Sequence, residues 1–173
     1  MKKLFFAILM IAVLAFALAT SCKSTDKTTE TPTTPVPRGL NMTTFADGQG
    51  REWKLIELHI DSVFGREVFF DRNSLVNEGD GEIYTLSFNG QTISGTGAPN
   101  RYSTPYTLGS GQSVTVMPIA STLMAPLFQV EKLPEHQFYG YMQNIYEWRS
   151  ENGNLVFLTK TEDDRDVRMV FGL

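Results

Sequence analysis

The sequence predicts a β-rich α+β domain, a curved antiparallel sheet with one packed helical segment. Three observations predict it. Apolar and polar residues alternate at near period two in segment after segment from Trp53 onward, as half-buried strands require. Turn residues separate these segments, among them Asn89-Gly90, Gly109-Ser-Gly111 and Ser-Glu-Asn-Gly153-Asn. One stretch, from Ser121 to Met142, spaces its apolar residues for a helical face instead.

Before that domain lies a different kind of chain. Met-Lys-Lys is followed by an uncharged run from Leu4 to Ala19, the pattern of a secretory signal over residues 1–21. The run stops short of the roughly 20 apolar residues that a membrane span needs. Small residues Ala19, Thr20 and Ser21 suit a signal peptidase, and Cys22 follows immediately. Leucine stands four residues before the cysteine, at Leu18, a relaxed form of the lipoprotein box. Cys22 is the single cysteine, so an exported chain has no internal partner for it, and acylation removes a thiol otherwise liable to cross-linking. Cys22 is therefore expected to carry the lipid, palmitate among its acyl chains, that holds the protein at a membrane of the bacterial cell envelope, facing the periplasm or the cell surface. Residues 22–44, rich in Thr, Pro and charge, read as a flexible tether that buries too little to fold.

Residues 45–173 form one domain by length. Removal of residues 1–21 takes two of the 15 basic residues and none of the 19 acidic ones, leaving 13 − 19 = −6. That charge argues against nucleic acid and anionic lipid headgroups as partners.

Within the domain, Trp53–Ile60 and Ile83–Phe88 read as strands, the second placing Tyr84, Leu86 and Phe88 on one face. Asn89-Gly90 turns the chain into Gln91–Thr96. Tyr102–Leu108 and Ser113–Pro118 form another pair, and Ile145–Arg149, Leu155–Thr159 and Val167–Phe171 a closing meander. Leu123, Met124, Leu127 and Phe128 are spaced for a short helical turn that Pro126 limits. Pro134 then opens a second helix with Phe138, Tyr141 and Met142 on its inner side, placed to cap the open side of the sheet. The connection from Asp61 to Gly81 has no assigned path.

Three patterns in order carry a family resemblance: Ser94-Gly-Thr-Gly-Ala-Pro-Asn100-Arg-Tyr102 with Tyr106-Thr-Leu, Ile119-Ala-Ser-Thr122-Leu-Met-Ala125 with Glu135 and Phe138, and Asn154-Leu-Val-Phe-Leu158. Over residues 50–173 the chain resembles the META domain family of HslJ-like bacterial envelope lipoproteins. The resemblance implies a partly open β-barrel with a packed helix, and an envelope or stress-response role without established catalysis. The family often has cysteine where Pro99 and Pro126 stand here, so the resemblance also implies that a disulfide is missing.

Candidate chemistry is sparse. Gly95-Thr-Gly97-Ala-Pro-Asn100 resembles a phosphate loop, yet Pro99 removes an amide and a strand follows rather than a helix. It reads as a tight connection, making Asn100, Arg101 and Tyr102 the candidate functional surface. Glu57 and His59 fall on one strand face but lack a third ligand, and His136 beside Glu135 reads as solvated. The acidic groups at residues 77–82 and 162–166 lack calcium-loop spacing and read as solvated turns. No nucleophile elbow is present, so no catalytic residue, metal or cofactor is expected, and the protein is read as not an enzyme. Abundant aromatics, including Phe64, Phe69, Phe70 and Trp148, suit a filled core and barrel mouth. They also fit an apolar site. The function expected is an interaction or stress-response module, with a carrier of an apolar ligand such as a lipid in the half-open barrel as the alternative, and a hydrolase third.

Overall fold

The computed structural model describes residues 42–75, 80–125 and 130–173; the signal segment, Cys22, most of the tether, and residues Leu127 and Phe128 lie outside them. Among the described residues, ten strands and one α-helix follow in the order β1 (Glu52–Ser62), β2 (Gly65–Asp71), β3 (Thr85–Asn89), β4 (Thr92–Thr96), β5 (Arg101–Leu108), β6 (Val114–Val116), β7 (Ala120–Ser121), α1 (Glu135–Gln143), β8 (Glu147–Glu151), β9 (Asn154–Lys160) and β10 (Asp166–Gly172). Neighbours run β6-β5-β4-β3-β1-β10-β9-β8, with β2 added to β1 and β7 to β5. The ends of this path approach each other: Val114 N donates to Tyr146 O at 3.1 Å and Trp148 N to Gln112 O at 2.9 Å. The sheet is thus a nearly closed antiparallel barrel whose seam is only partly joined.

Strand β1 shows how the sequence sets this curvature. Trp53 and Leu55 face inward, then Leu58 and Ile60, an apolar period broken by one residue. A bulge between Leu55 and Glu57 in the β1–β10 pairing absorbs that residue and bends the strand. Past the bend, β1 exchanges neighbours. Glu52–Lys54 pair with β3, whereas Glu57–Ser62 pair with β2. Arg72 secures the exchange, its Nε donating to Leu55 O and its Nη2 to Ile83 O, both at 2.6 Å. Tyr84 turns away at φ 50°, and its buried ring packs between Phe70 and Phe138 at centroid distances of 5.6 and 4.9 Å.

The unassigned stretch from Asp61 to Gly81 therefore contains a hairpin arm, β2, together with short 3-10 turns at Arg72–Ser74 and Asp80–Glu82. The helical turn expected from Ser121 is corrected in its described part. Ala120–Ser121 pair with β5 and residues 122–125 are irregular, leaving Leu123 98% exposed. The backbone there is tied to Asn100 and Arg101 rather than to itself, so apolar spacing alone does not make a helix.

Two aromatic clusters fill the interior. Phe45, on a 3-10 turn (Phe45–Gly48), packs against Phe88, Tyr106 and Trp148 within 5.3 Å. Asp47 fixes this turn by accepting from Thr43 N and Thr44 N at 2.8 and 2.7 Å, with Thr44 then Thr43 holding its carboxyl below the ordinary range. The second cluster forms where α1 closes the sheet, with Phe138, Tyr141 and Met142 buried as its spacing requires. Met42, three residues ahead of the expected domain start, is also buried, its N–H donating to Ser150 Oγ at 3.1 Å.

Candidate functional site

Two places concentrate polar chemistry. The first is the connection from β4 to β5, where Asn100 is 7% exposed. Ala98 N and Asn100 N donate to Glu135 Oε1 at 2.5 and 2.6 Å, and Asn100 Nδ2 to Glu135 Oε2 at 2.6 Å. Asn100 Oδ1 accepts from Thr122 Oγ1 at 2.9 Å and Met124 N at 2.7 Å. Its carbonyl accepts from Gly97 N and from the Tyr139 hydroxyl at 2.6 and 3.2 Å. One asparagine thus joins three separate segments: the turn after β4, the irregular run at 122–124, and the first turns of α1.

The Ala98–Pro99 bond in this turn is cis. Gly97 is held so closely that a Cβ there would lie 2.4 Å from both Glu135 Oε1 and the Tyr139 hydroxyl oxygen. Burial, followed by the charge of Glu135, pushes the Tyr139 hydroxyl well above its ordinary range, so it stays a proton donor. With Glu135 receiving three N–H groups, the carboxylate is engaged as a structural acceptor.

Of the candidate surface residues, Arg101 alone faces solvent. Asn100 and Tyr102 point inward, and the Tyr102 hydroxyl donates to Thr85 O at 2.9 Å. Burial pushes that hydroxyl far upward as well. Alternation entering β5 sets Arg101 on the opposite side from Tyr102, because successive strand side chains leave opposite faces. Of the two positions where the family resemblance implies a missing disulfide, Pro99 lies in this turn and Pro126 lies outside the described residues. Hydrogen bonds from Thr122 and Met124 to Asn100 join the turn to residues 122–124.

Glu57 and His59 do meet, Oε2 to Nε2 at 2.8 Å on the outer face of β1. Among the described residues no group of three or more His, Cys, Asp or Glu is placed to hold a metal.

The second place is a cleft of about 970 Å³ at the mouth of the barrel. Ile60 and Tyr141 contribute buried apolar surface. Phe69 of β2, Tyr146 before β8, α1 and the β9–β10 turn complete its walls. Gly140 presents an exposed stretch of helix without a side chain. Charges ring the opening in pairs: Lys160 Nζ to Asp164 Oδ1 at 2.7 Å, and Arg165 Nε to Asp163 Oδ2 at 2.8 Å. Thr161, then Arg165, hold the Asp163 carboxyl below its usual range, and Asp164 raises Lys160, so both stay charged at neutral pH. Tyr141 accepts from Gln137 Nε2 at 2.8 Å, and burial keeps its hydroxyl protonated. An apolar floor with a few polar groups converging on it is the usual form of a binding site.

Sequence reasoning missed this cleft for two reasons. Glu67 and Phe69 belong to the unassigned arm, and the acidic turn at 162–166, read as solvated, also forms a wall. His136, expected in solvent, is exposed at the cleft rim.

The family model described as the META domain matches residues 46–170. No curated protein matches. A protein from Burkholderia xenovorans, solved by NMR, is similar in structure with a TM-score of 0.50 and 16% identity, covering 78% of this chain and 90% of its own. A DUF4847 family protein from Bacteroides vulgatus, a crystal structure, has a TM-score of 0.46 and 10% identity, covering 71% of this chain and 93% of its own. At 16% identity the Burkholderia likeness shows the fold alone.

Proposed function

Because the chain belongs to the META domain family, we propose that it is a bacterial envelope lipoprotein. It is held at a membrane through acylated Cys22, and its domain is a non-catalytic interaction or stress-response module. The observation that carries the binding part is the cleft at the barrel mouth, which joins aromatic surface to fixed charges outside the packed interior. The Asn100–Glu135 network supports the non-catalytic part, since its acceptors and donors are engaged with one another. Aromatic rings occupy the space that a carried acyl chain would fill inside the barrel, which supports the cleft over the interior as the binding surface.

Intact mass of the chain purified from membranes tests the anchor. Loss of residues 1–21 and gain of a diacylglyceryl group with an acyl chain are expected, and Cys22→Ser releases the protein into the soluble fraction. A free thiol on soluble wild-type protein contradicts the proposal. Native mass spectrometry of the delipidated chain is expected to give the apo mass, whereas a retained lipid mass would favour a carrier.

A further inference from the structure

The β1–β2 hairpin ends in a two-residue turn, and both residues are apolar. Val63 is 94% exposed and Phe64 93% exposed, and Val68 follows on β2 at 55%. The turn is rigidly built. Gly65 adopts φ +113°, a conformation that favours glycine there. Phe64 N donates to Ser62 Oγ at 3.2 Å, and that hydroxyl lies 2.9 Å from both Gly65 O and Glu67 Oε1. Behind it, Arg66 grips Asp61 with two nitrogens, at 2.7 and 3.3 Å. The arm thus presents a phenyl ring and a valine at its tip, with Asp61 and Arg66 paired behind them and the Glu67 carboxylate held against Ser62.

We infer that this tip is a second membrane contact, Val63 and Phe64 entering the interface of an electrically neutral phospholipid bilayer. The inference rests on the anchored-module reading above. Area argues for lipid over a protein partner. A phenylalanine buries about 150–250 Å², so with one valine the tip offers a small fraction of the roughly 800 Å² that each partner contributes to a stable protein interface. That patch suffices as the supplementary signal of a chain already tethered, because tethering makes the second contact intramolecular.

Reach is consistent with this. Met42 bonds Ser150, which pairs through Leu155 and Phe171 with Leu55 of β1. The chain therefore enters the domain at the level of Leu55, seven residues from Ser62, or roughly 23 Å along the strand at about 3.3 Å per residue. The twenty steps from Cys22 to Met42 extend to roughly 60 Å at about 3.1 Å each. The net charge of −6 after residues 1–21 are removed selects a neutral surface over an anionic one.

The test uses the full chain carrying Phe64→Trp, isolated from membranes and reconstituted in phosphatidylcholine vesicles with and without brominated acyl chains. Trp53 and Trp148 are buried and serve as the background. The added tryptophan is expected to emit at shorter wavelength than in detergent-free buffer and to lose at least about half its intensity to bromolipid. Val63→Ser on the same chain should diminish that quenching, while the thermal midpoint stays put because both positions are exposed. Emission that keeps its solvent-exposed wavelength and ignores bromolipid overturns the inference, as does shielding that requires an added protein. Mass measured on the same sample separates the two readings. An acylated chain with an unquenched tip refutes the tip alone. An unacylated Cys22 with a tip still quenched refutes the anchor alone.

Discussion

Replacing Asn100 by alanine is expected to lower unfolding stability by about 3–4 kcal/mol, since each stranded buried polar group costs about 1–3 kcal/mol. The substitution removes the partner of Glu135 Oε2 and the shared acceptor of Met124 N and Thr122 Oγ1 at one stroke. It also separates α1 from the β4–β5 connection and from residues 122–124. Chemical denaturation followed by fluorescence of Trp53 and Trp148 measures the loss. Arg101→Ala, one residue along on the exposed face, should stay within about 0.5 kcal/mol of wild type. Equal effects at the two positions would remove the structural role assigned to Asn100.

Gly95→Ala is expected to be at least as damaging, on the order of 4 kcal/mol, with the domain losing its sharp transition. Gly95 sits in β4 opposite Tyr102, and a Cβ there would lie 2.0 Å from Thr85 O and 2.7 Å from Thr85 C. These are backbone atoms in β3, so no rotamer change relieves the clash and the strands must part. Gly81→Ala meets nothing within 4 Å and should be close to neutral. The contrast distinguishes close backbone approach from a general intolerance of alanine.

Much of the fold was legible because one-sided burial leaves a period in the sequence. β4, β5, β9, β10 and α1 lie within a residue or two of where alternation and turn chemistry place them, and Asn152-Gly153 forms its turn with φ 51° and 80°. β2 was not legible. Val63 and Phe64 in the turn before it and Val68 within it are exposed, and its inward face supplies few apolar side chains, so no alternation marks it as a strand. Phe45 was equally hidden, because one aromatic on a four-residue turn carries no period, although it occupies the middle of a cluster. The resemblance singled out both the Asn100 turn and Glu135, but not that the two meet. Glu135 reaches it across 35 residues, a distance at which sequence spacing holds no geometric information.

Those same limits explain why the cleft emerged only in three dimensions. Its walls come from β1, β2, α1, the segment before β8 and the β9–β10 turn, each with an ordinary local sequence. Their meeting is a consequence of the bend in β1 and the placement of α1 over the barrel mouth.

Photocrosslinking in living cells tests recognition in the cleft most directly. A benzophenone side chain placed at Asn144, on the cleft, is compared with one at Thr107, exposed on the outer face of β5. Discrete adducts from position 144, several-fold above position 107, are the predicted result. Equal yields at the two positions, or adducts from position 107 alone, would contradict binding at the cleft.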